Sequence, residues 1–430
     1  MGGVNNGVQD GASSDGATGG SFAFGANLAA LRDHNAALVL GLLRDAGAAG
    51  ASRAELAGRT GLTPQAVSKI SARLRAAGLA AEAGRRASTG GKPATTWRLV
   101  PDAAHAIGLH LDRDALTAVL VDLTGTTVAT RTAPLAFGAG AEALLGTVAA
   151  EVSALLADAD ADAGAVGAGP AAVSPGHGGG VLAGDGPSLS LLGVGVAVPG
   201  PLDHASGVLH RVTGFPEWDG FPLRDALAER LGLPVVVDKD TNAAALGLVL
   251  RGAGGGVPAA DSFAYLHLGT GLGAGLVLGG GVHRGARTGA GEFGHQVLQL
   301  DGPPCPCGNR GCIEALCLGA VAAGDTARAA RLLGVGAANL VRLLDIDLVL
   351  LGGRTVLAEP EPYLRGVRAV LAEDAARADG RTVPVAVAPG GGRTVVEGAA
   401  ELALAPLFGR SGTAFAPRSD ETKIVTSGGM

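Results

Sequence analysis

His295, Cys305, Cys307 and Cys312 fall within one short segment, GEFGHQVLQLDGPPCPCGNRGCIE, which holds three of the four cysteines of the chain. Soft thiolates with one imidazole form a four-ligand set suited to tetrahedral Zn2+, and the Pro and Gly around them supply tight turns that let near neighbours converge on one ion. The alternative is a group of buried thiols packed as small hydrophobes, but CPCGNRGC is polar and rich in turn residues. A disulfide framework fits poorly with a long chain that has few cysteines and no export signal; a reducing, cytoplasmic setting is the expectation. Cys317 lies outside the spacing and reads as an ordinary core thiol.

The same segment resembles the signature of the ROK family of sugar kinases and sugar-responsive repressors, in which Glu-x-Gly-His precedes Cys-x-Cys-Gly-x-x-Gly-Cys-x-Glu. Here the matching residues are Glu292, Gly294, His295, Cys305, Cys307, Gly308, Gly311, Cys312 and Glu314. The resemblance implies an α/β, two-lobed, actin-like sugar-kinase fold with a zinc knuckle and a central cleft. It also implies sugar contacts from Gly200, Asp240, Asn242, Glu292, His295 and Glu314, with Asp240 in the place of the kinase base. Read by itself, Asp240 is equally a helix N-cap ahead of TNAAALG, and Glu314 an exposed helix start.

Departures from the family pattern separate a kinase from a regulator. ROK kinases open their fold with Asp-x-Gly-Gly-Thr, whose glycines let backbone amides approach phosphate. This chain has LHLDRDALTAVL, so Asp112, Arg113, Asp114 and Ala115 stand there, and the added carboxylates repel ATP. A second glycine-rich stretch, LGTGLGAG, persists. Lys239 replaces the Asn that precedes the catalytic Asp in kinases, and can pair with Asp238 or Asp240 or reach into the cleft. About thirty residues that the family carries after the knuckle are missing between Cys317 and Asp325.

Composition and charge bound the rest. Hydrophobic residues make up 47% of 430 residues, yet no run is long and uninterrupted enough to span a bilayer, so no membrane partner is expected. The net charge of −6 hides an asymmetry: residues 27–100 hold eleven Lys or Arg against four Asp or Glu, and the residues beyond 100 hold 22 against 33. A basic module on an acidic body is the charge footprint of a nucleic-acid-binding head.

The pattern within that head agrees. Residues 28–46 place Leu at helical spacing. Ser52 and Glu55 form a capping box for a second helix, and Thr63 with Pro64 starts a third. Two helices joined by Thr-Gly-Leu predict a helix-turn-helix. On the third, Val67, Ile70 and Leu74 face inward, which leaves Gln65, Ser68, Lys69 and Arg73 for a major groove. Residues 79–99 alternate as a hairpin, a wing whose Arg85, Arg86 and Lys92 suit phosphate or minor-groove contacts. A solvated basic loop in a helical protein-binding module is the plainer alternative. ROK repressors begin with such a winged module, whereas the kinases lack it.

These readings divide the chain into a disordered tail (1–26), a winged helix-turn-helix (27–100), a kinase-like sensor (101–408) with a low-complexity insertion (157–188), and a loose C-terminal tail (409–430). The function expected is a sugar-responsive regulator, most simply a repressor, without enzyme activity, acting as a homodimer or tetramer on double-stranded operator DNA. Two alternatives remain: an ATP-dependent, glucokinase-like sugar kinase with an appended head, and a regulator whose sensor has lost its ligand.

Overall fold

In the computed structural model the residues described are 34–86, 94–166, 189–212, 214–251, 260–378 and 380–409. The first element, α1 (His34–Ala46), buries Ala36, Val39, Leu40 and Leu43 along one face, the stripe of an amphipathic helix. A short strand, β1 (Ala51–Ser52), leads into α2 (Arg53–Thr60). Ser52 Oγ accepts from the Glu55 N–H and the Glu55 carboxylate accepts from the Ser52 N–H, which completes the capping box. Gly61 ends α2 at φ 71°, a left-handed conformation that strains any residue with a Cβ. Thr63 then caps α3 (Pro64–Ala76) by accepting from the Ala66 N–H.

Strands β2 (Ala80–Arg86) and β3 (Ala94–Leu99) pair antiparallel, and β1 pairs with the other edge of β3. The tip of this hairpin, with Lys92, lies outside the described residues, as do 1–33 and 410–430.

From His105 onward the chain builds two five-stranded sheets on one plan. The first contains β4 (His105–Leu111), β5 (Ala115–Asp122), β6 (Thr127–Pro134), β7 (Leu191–Val198) and β10 (Val235–Lys239), in the order β10-β7-β4-β5-β6. Between its strands run α4 (Ala141–Val166), a small hairpin of β8 (Leu202–Asp203) and β9 (Val208–Leu209), and α5 (Leu223–Leu231). After α6 (Asp240–Arg251) comes the second sheet: β11 (Phe263–Leu268), β12 (Leu272–Leu278), β13 (Gly281–Val282), β14 (Leu348–Gly352) and β15 (Val385–Val387), in the order β13-β12-β11-β14-β15. In both, two successive antiparallel pairings lead away from one side of the earliest strand and two successive parallel pairings from the other. The parallel strands β7 and β14 are apolar and almost wholly buried, as strands covered on both faces must be. The partnerless edge β6 alternates half-buried with exposed residues.

Helices α7 (Ile313–Ala322), α8 (Thr326–Leu344) and α10 (Pro360–Arg377) cover the second sheet, with the short α9 (Arg354–Ala358) after β14. Helices α6 and α11 (Thr394–Leu404) pack between the sheets. A Cβ on Gly247 of α6 would lie 2.8 Å from Gly398 Cα of α11, so only glycine permits this crossing.

One expectation changes. The segment read as an insertion from 157 is helical as far as Val166, where α4 ends, because its Ala-rich start favours helix over loop. The head packs directly on the body. Val39, Leu40 and Leu43 of α1 and Trp97 and Leu99 of β3 share one buried cluster with Val119, Val121, Val396, Leu404 and Phe408 of the body.

Candidate functional site

The cleft lies where β10 gives way to α6, at the C-terminal end of a parallel strand, a position where α/β sheets commonly bind ligands. Gly200, Asp240, Glu292, His295 and Glu314 line it together with Asp112, Arg113, Lys239, His267 and Thr270. Asp240 is the first residue of α6, and its Oδ1 accepts from the adjoining Thr241 N–H at 2.6 Å. Glu314 is buried, not an exposed helix start, and its Oε2 accepts from the Leu272 N–H at 2.9 Å. Asn242 departs from expectation. It does not line the cleft; fully buried, its Nδ2 donates to Asp238 Oδ1 at 2.9 Å. Two residues beyond Asp240 on a helix, its side chain points to the other side.

Lys239 is buried and holds Glu292 Oε1 at 3.0 Å and the Ala290 carbonyl at 2.6 Å. Its partner is therefore neither Asp238 nor Asp240. Asp238 is engaged by Arg284 Nε at 2.7 Å.

Across the cleft, Asp112 Oδ1 accepts from Thr270 Oγ1 at 3.1 Å and Asp114 pairs with Arg354 at 2.9 Å. The turn at 112–114 thus joins the two lobes. Burial tends to raise the Asp112 pKa, but His110, the Arg113 N–H and Thr270 outweigh it and hold the carboxyl below its usual value. Burial depresses His110, whose neighbours include Asp240 and His267. His110 and Tyr265 line, with Asp112 and His267, an adjoining cavity of about 500 Å³. No motif marks either histidine, since each sits within a strand that reads as core.

Beside the cleft, the nitrogen and sulfur atoms of His295, Cys305, Cys307 and Cys312 all lie within 4.8 Å of one another. Cys305 Sγ is 3.7 Å from His295 Nδ1, and Cys307 Sγ is 3.7 Å from Cys312 Sγ. Those separations are too long for a disulfide and match the roughly 3.5–3.8 Å edges of a tetrahedron with metal–ligand bonds of 2.0–2.3 Å. Burial, with its sulfur neighbours adding, pushes the Cys312 thiol up to about 12, so three adjacent thiolates need a cation among them. The four side chains can hold a metal ion. Cys317 stands apart, buried against the Ala329 carbonyl.

In the head, Val67, Ile70 and Leu74 are buried, and Gln65, Lys69 and Arg85 are exposed. Ser68 and Arg73, expected on the open face, are half-buried, because they flank the inward stripe of α3. Arg86 ends β2 opposite Ala94.

Residues 185–325, the span that includes Asp240, Glu292, His295 and the cysteines, match the ROK family. The chain carries a ROK family domain. With the two-sheet plan above, its fold is the α/β, actin-like sugar-kinase fold of ROK proteins. Over 125 residues the chain is 42% identical to a glucokinase of Halalkalibacterium halodurans, covering 29% of this chain and 37% of the other. Over 263 residues it is 26% identical to a xylose repressor of Bacillus subtilis, covering 61% and 60%. It thus spans well under two thirds of the glucokinase's length. A solved ROK family transcriptional regulator, a homologue of the E. coli MLC protein, superposes with a TM-score of 0.66 at 20% identity, over 88% of this chain and 98% of that one, a likeness of fold. Among the described residues no helix is long and apolar enough to cross a membrane.

Proposed function

We propose that this ROK protein is a sugar-responsive DNA-binding regulator, a repressor of carbohydrate genes, without kinase activity. The observation that carries the reading is the joining of a basic head to a cleft-bearing body whose phosphate-side turn is Asp112-Arg113-Asp114, with Asp112 on Thr270 and the exposed Asp114 on Arg354. Kinases need amides and cations there, where charge develops on the transferred phosphoryl group.

In this reading residues 27–100 are a winged helix-turn-helix. Gln65 and Ser68 meet base edges, Lys69 and Arg73 flank them, and Arg85, Arg86 and Lys92 of the wing meet phosphates. Asp240, Glu292, His295, Glu314 and the Gly200 backbone take a sugar, since carboxylates and imidazole satisfy several hydroxyls at once. His295 Nδ1, Cys305, Cys307 and Cys312 hold structural zinc, which when bound fixes the 305–312 loop and the His295 ring. With Nδ1 turned to the sulfurs, Nε2 is the nitrogen left for a hydroxyl. Two heads in a homodimer reach successive major grooves about 34 Å apart, and a sugar that favours one arrangement of lobes changes that spacing.

The deciding experiment measures binding of the purified protein to its own upstream DNA with and without neutral sugars. Operator binding that a sugar weakens fits the reading; absence of DNA binding overturns it. The second reading, a glucokinase-like kinase, draws on Asp240 in the cleft and on the 42% identity, and sugar-dependent ATP turnover lost in Asp240→Ala establishes it instead.

A further inference from the structure

Lys239 sits at the end of β10, one residue before the carboxylate that opens α6. Its side chain is only 3% exposed, and an ammonium is taken out of water only against acceptors. Two are present, the Ala290 carbonyl and Glu292 Oε1. An ammonium has three donors and a carboxylate two oxygens, so this pair has one N–H and Glu292 Oε2 left over, and both residues line the cleft. Glycines flank the arrangement. A Cβ on Gly200 would lie 2.7 Å from Lys239 Cδ, so the stem occupies the space that any larger residue at 200 would take.

We propose that the Lys239–Glu292 pair is the specificity element of the cleft, and that it selects a neutral sugar with vicinal hydroxyls over acidic or phosphorylated sugars; this rests on the sugar-sensor reading. One hydroxyl oxygen accepts from Lys239 Nζ, and its neighbour donates to Glu292 Oε2. An anionic ligand meets a cation already neutralised by its partner. It also faces Asp112, Asp240 and Glu314, against Arg113 alone. Reading Lys239 as a phosphate or carboxylate hook ignores Glu292, which holds that position in cis.

Calorimetry on the full-length protein with xylose, glucose, glucuronate and glucose 6-phosphate tests this. The neutral sugars are expected to bind at least about tenfold more tightly than the anionic ones. Lys239→Met removes the ammonium and keeps the stem, and weakens the preferred neutral sugar by about 10- to 100-fold, the worth of a hydrogen bond to a charged group. Among mono-deoxy analogues of that sugar, one binds Lys239→Met and the wild type equally, because the hydroxyl that Lys239 contacts is already gone; a purely structural role weakens every analogue alike. Glu292→Gln frees the cation and moves the preference toward the anionic sugars by at least about tenfold, which decides the matter if Lys239→Met fails to fold.

An unchanged affinity in Lys239→Met, an unmoved preference in Glu292→Gln, or a wild type that prefers glucuronate or glucose 6-phosphate overturns the inference and leaves the sensor reading standing. A wild type that binds none of the four sugars overturns both.

Discussion

Arg44 in α1 and Glu401 in α11 form a two-pronged ion pair, with Arg44 Nη1 at 2.8 Å from one carboxylate oxygen and Nη2 on the other. The side chains are 10% and 1% exposed. Arg44 Nε also donates to the Thr124 carbonyl at 3.0 Å, and its guanidinium lies 4.8 Å from the centre of the Phe408 ring. Head and body are therefore fastened by a charge pair that neither partner can leave without stranding the other. Since α11 crosses α6 at Gly247 and Gly398, and α6 begins at Asp240, contiguous packing runs from the cleft to the head.

Breaking that pair on one side leaves a buried unpaired charge. Arg44→Ala or Glu401→Ala should cost roughly 3–5 kcal/mol in denaturant unfolding, and a double change to apolar residues of similar size should recover much of it. Single variants that unfold like the wild type would show that the pair is not closed to water in solution. In variants that still fold, DNA binding should respond less to sugar.

Purified protein should contain about one zinc per chain, as a closed four-ligand site requires. Cys312→Ser should release it and lower the melting temperature. Metal analysis that finds none in protein prepared without chelator counts against the site.

Glu397 links α11 to Arg251 and Arg393. Burial tends to raise its pKa, but Arg251 and then Arg393 prevail and hold the carboxyl below its usual 4.5. A depressed folded pKa means that the stabilisation is complete above about 4.5 and fades as pH falls toward the folded value. Unfolding free energies should thus fall less steeply below about pH 4.5 in Glu397→Gln than in the wild type. Parallel slopes would refute this.

No sugar-dependent ATP hydrolysis or transfer is expected, because Asp112 and Asp114 occupy the turn that would cradle phosphate. Restoring Gly-Gly-Thr at 112–114 should remove the Asp112–Thr270 and Asp114–Arg354 links and raise nucleotide affinity, measured by calorimetry with a nonhydrolysable analogue.

Changes at Gln65 should alter which DNA sequence is preferred, at about 1–3 kcal/mol per base pair. Arg85→Ala should instead weaken all sequences alike and reduce the salt slope by about one. Operator binding that survives deletion of residues 27–100 would remove the head from the account.

The sequence alone determined what depends on near neighbours. The Ser52–Glu55 box, the Thr63 cap, the inward stripe of Val67, Ile70 and Leu74, and the crowding of Cys305, Cys307 and Cys312 all follow from spacing within a turn or two of backbone. Tertiary structure decided what depends on residues far apart in the chain. Lys239 is separated from Glu292 by the whole of α6 and three strands, so no local pattern could name its partner. Asn242 sits in a motif that suggested a ligand, but the direction of α6 turns it to Asp238. Arg44 reads as one basic residue among many, yet burial against Glu401, 357 positions away, makes it the fastening of the head. Charge identity is written in the sequence; whether a charge meets water, a ligand or an opposite charge is set by packing, because desolvation and distance fix its energy.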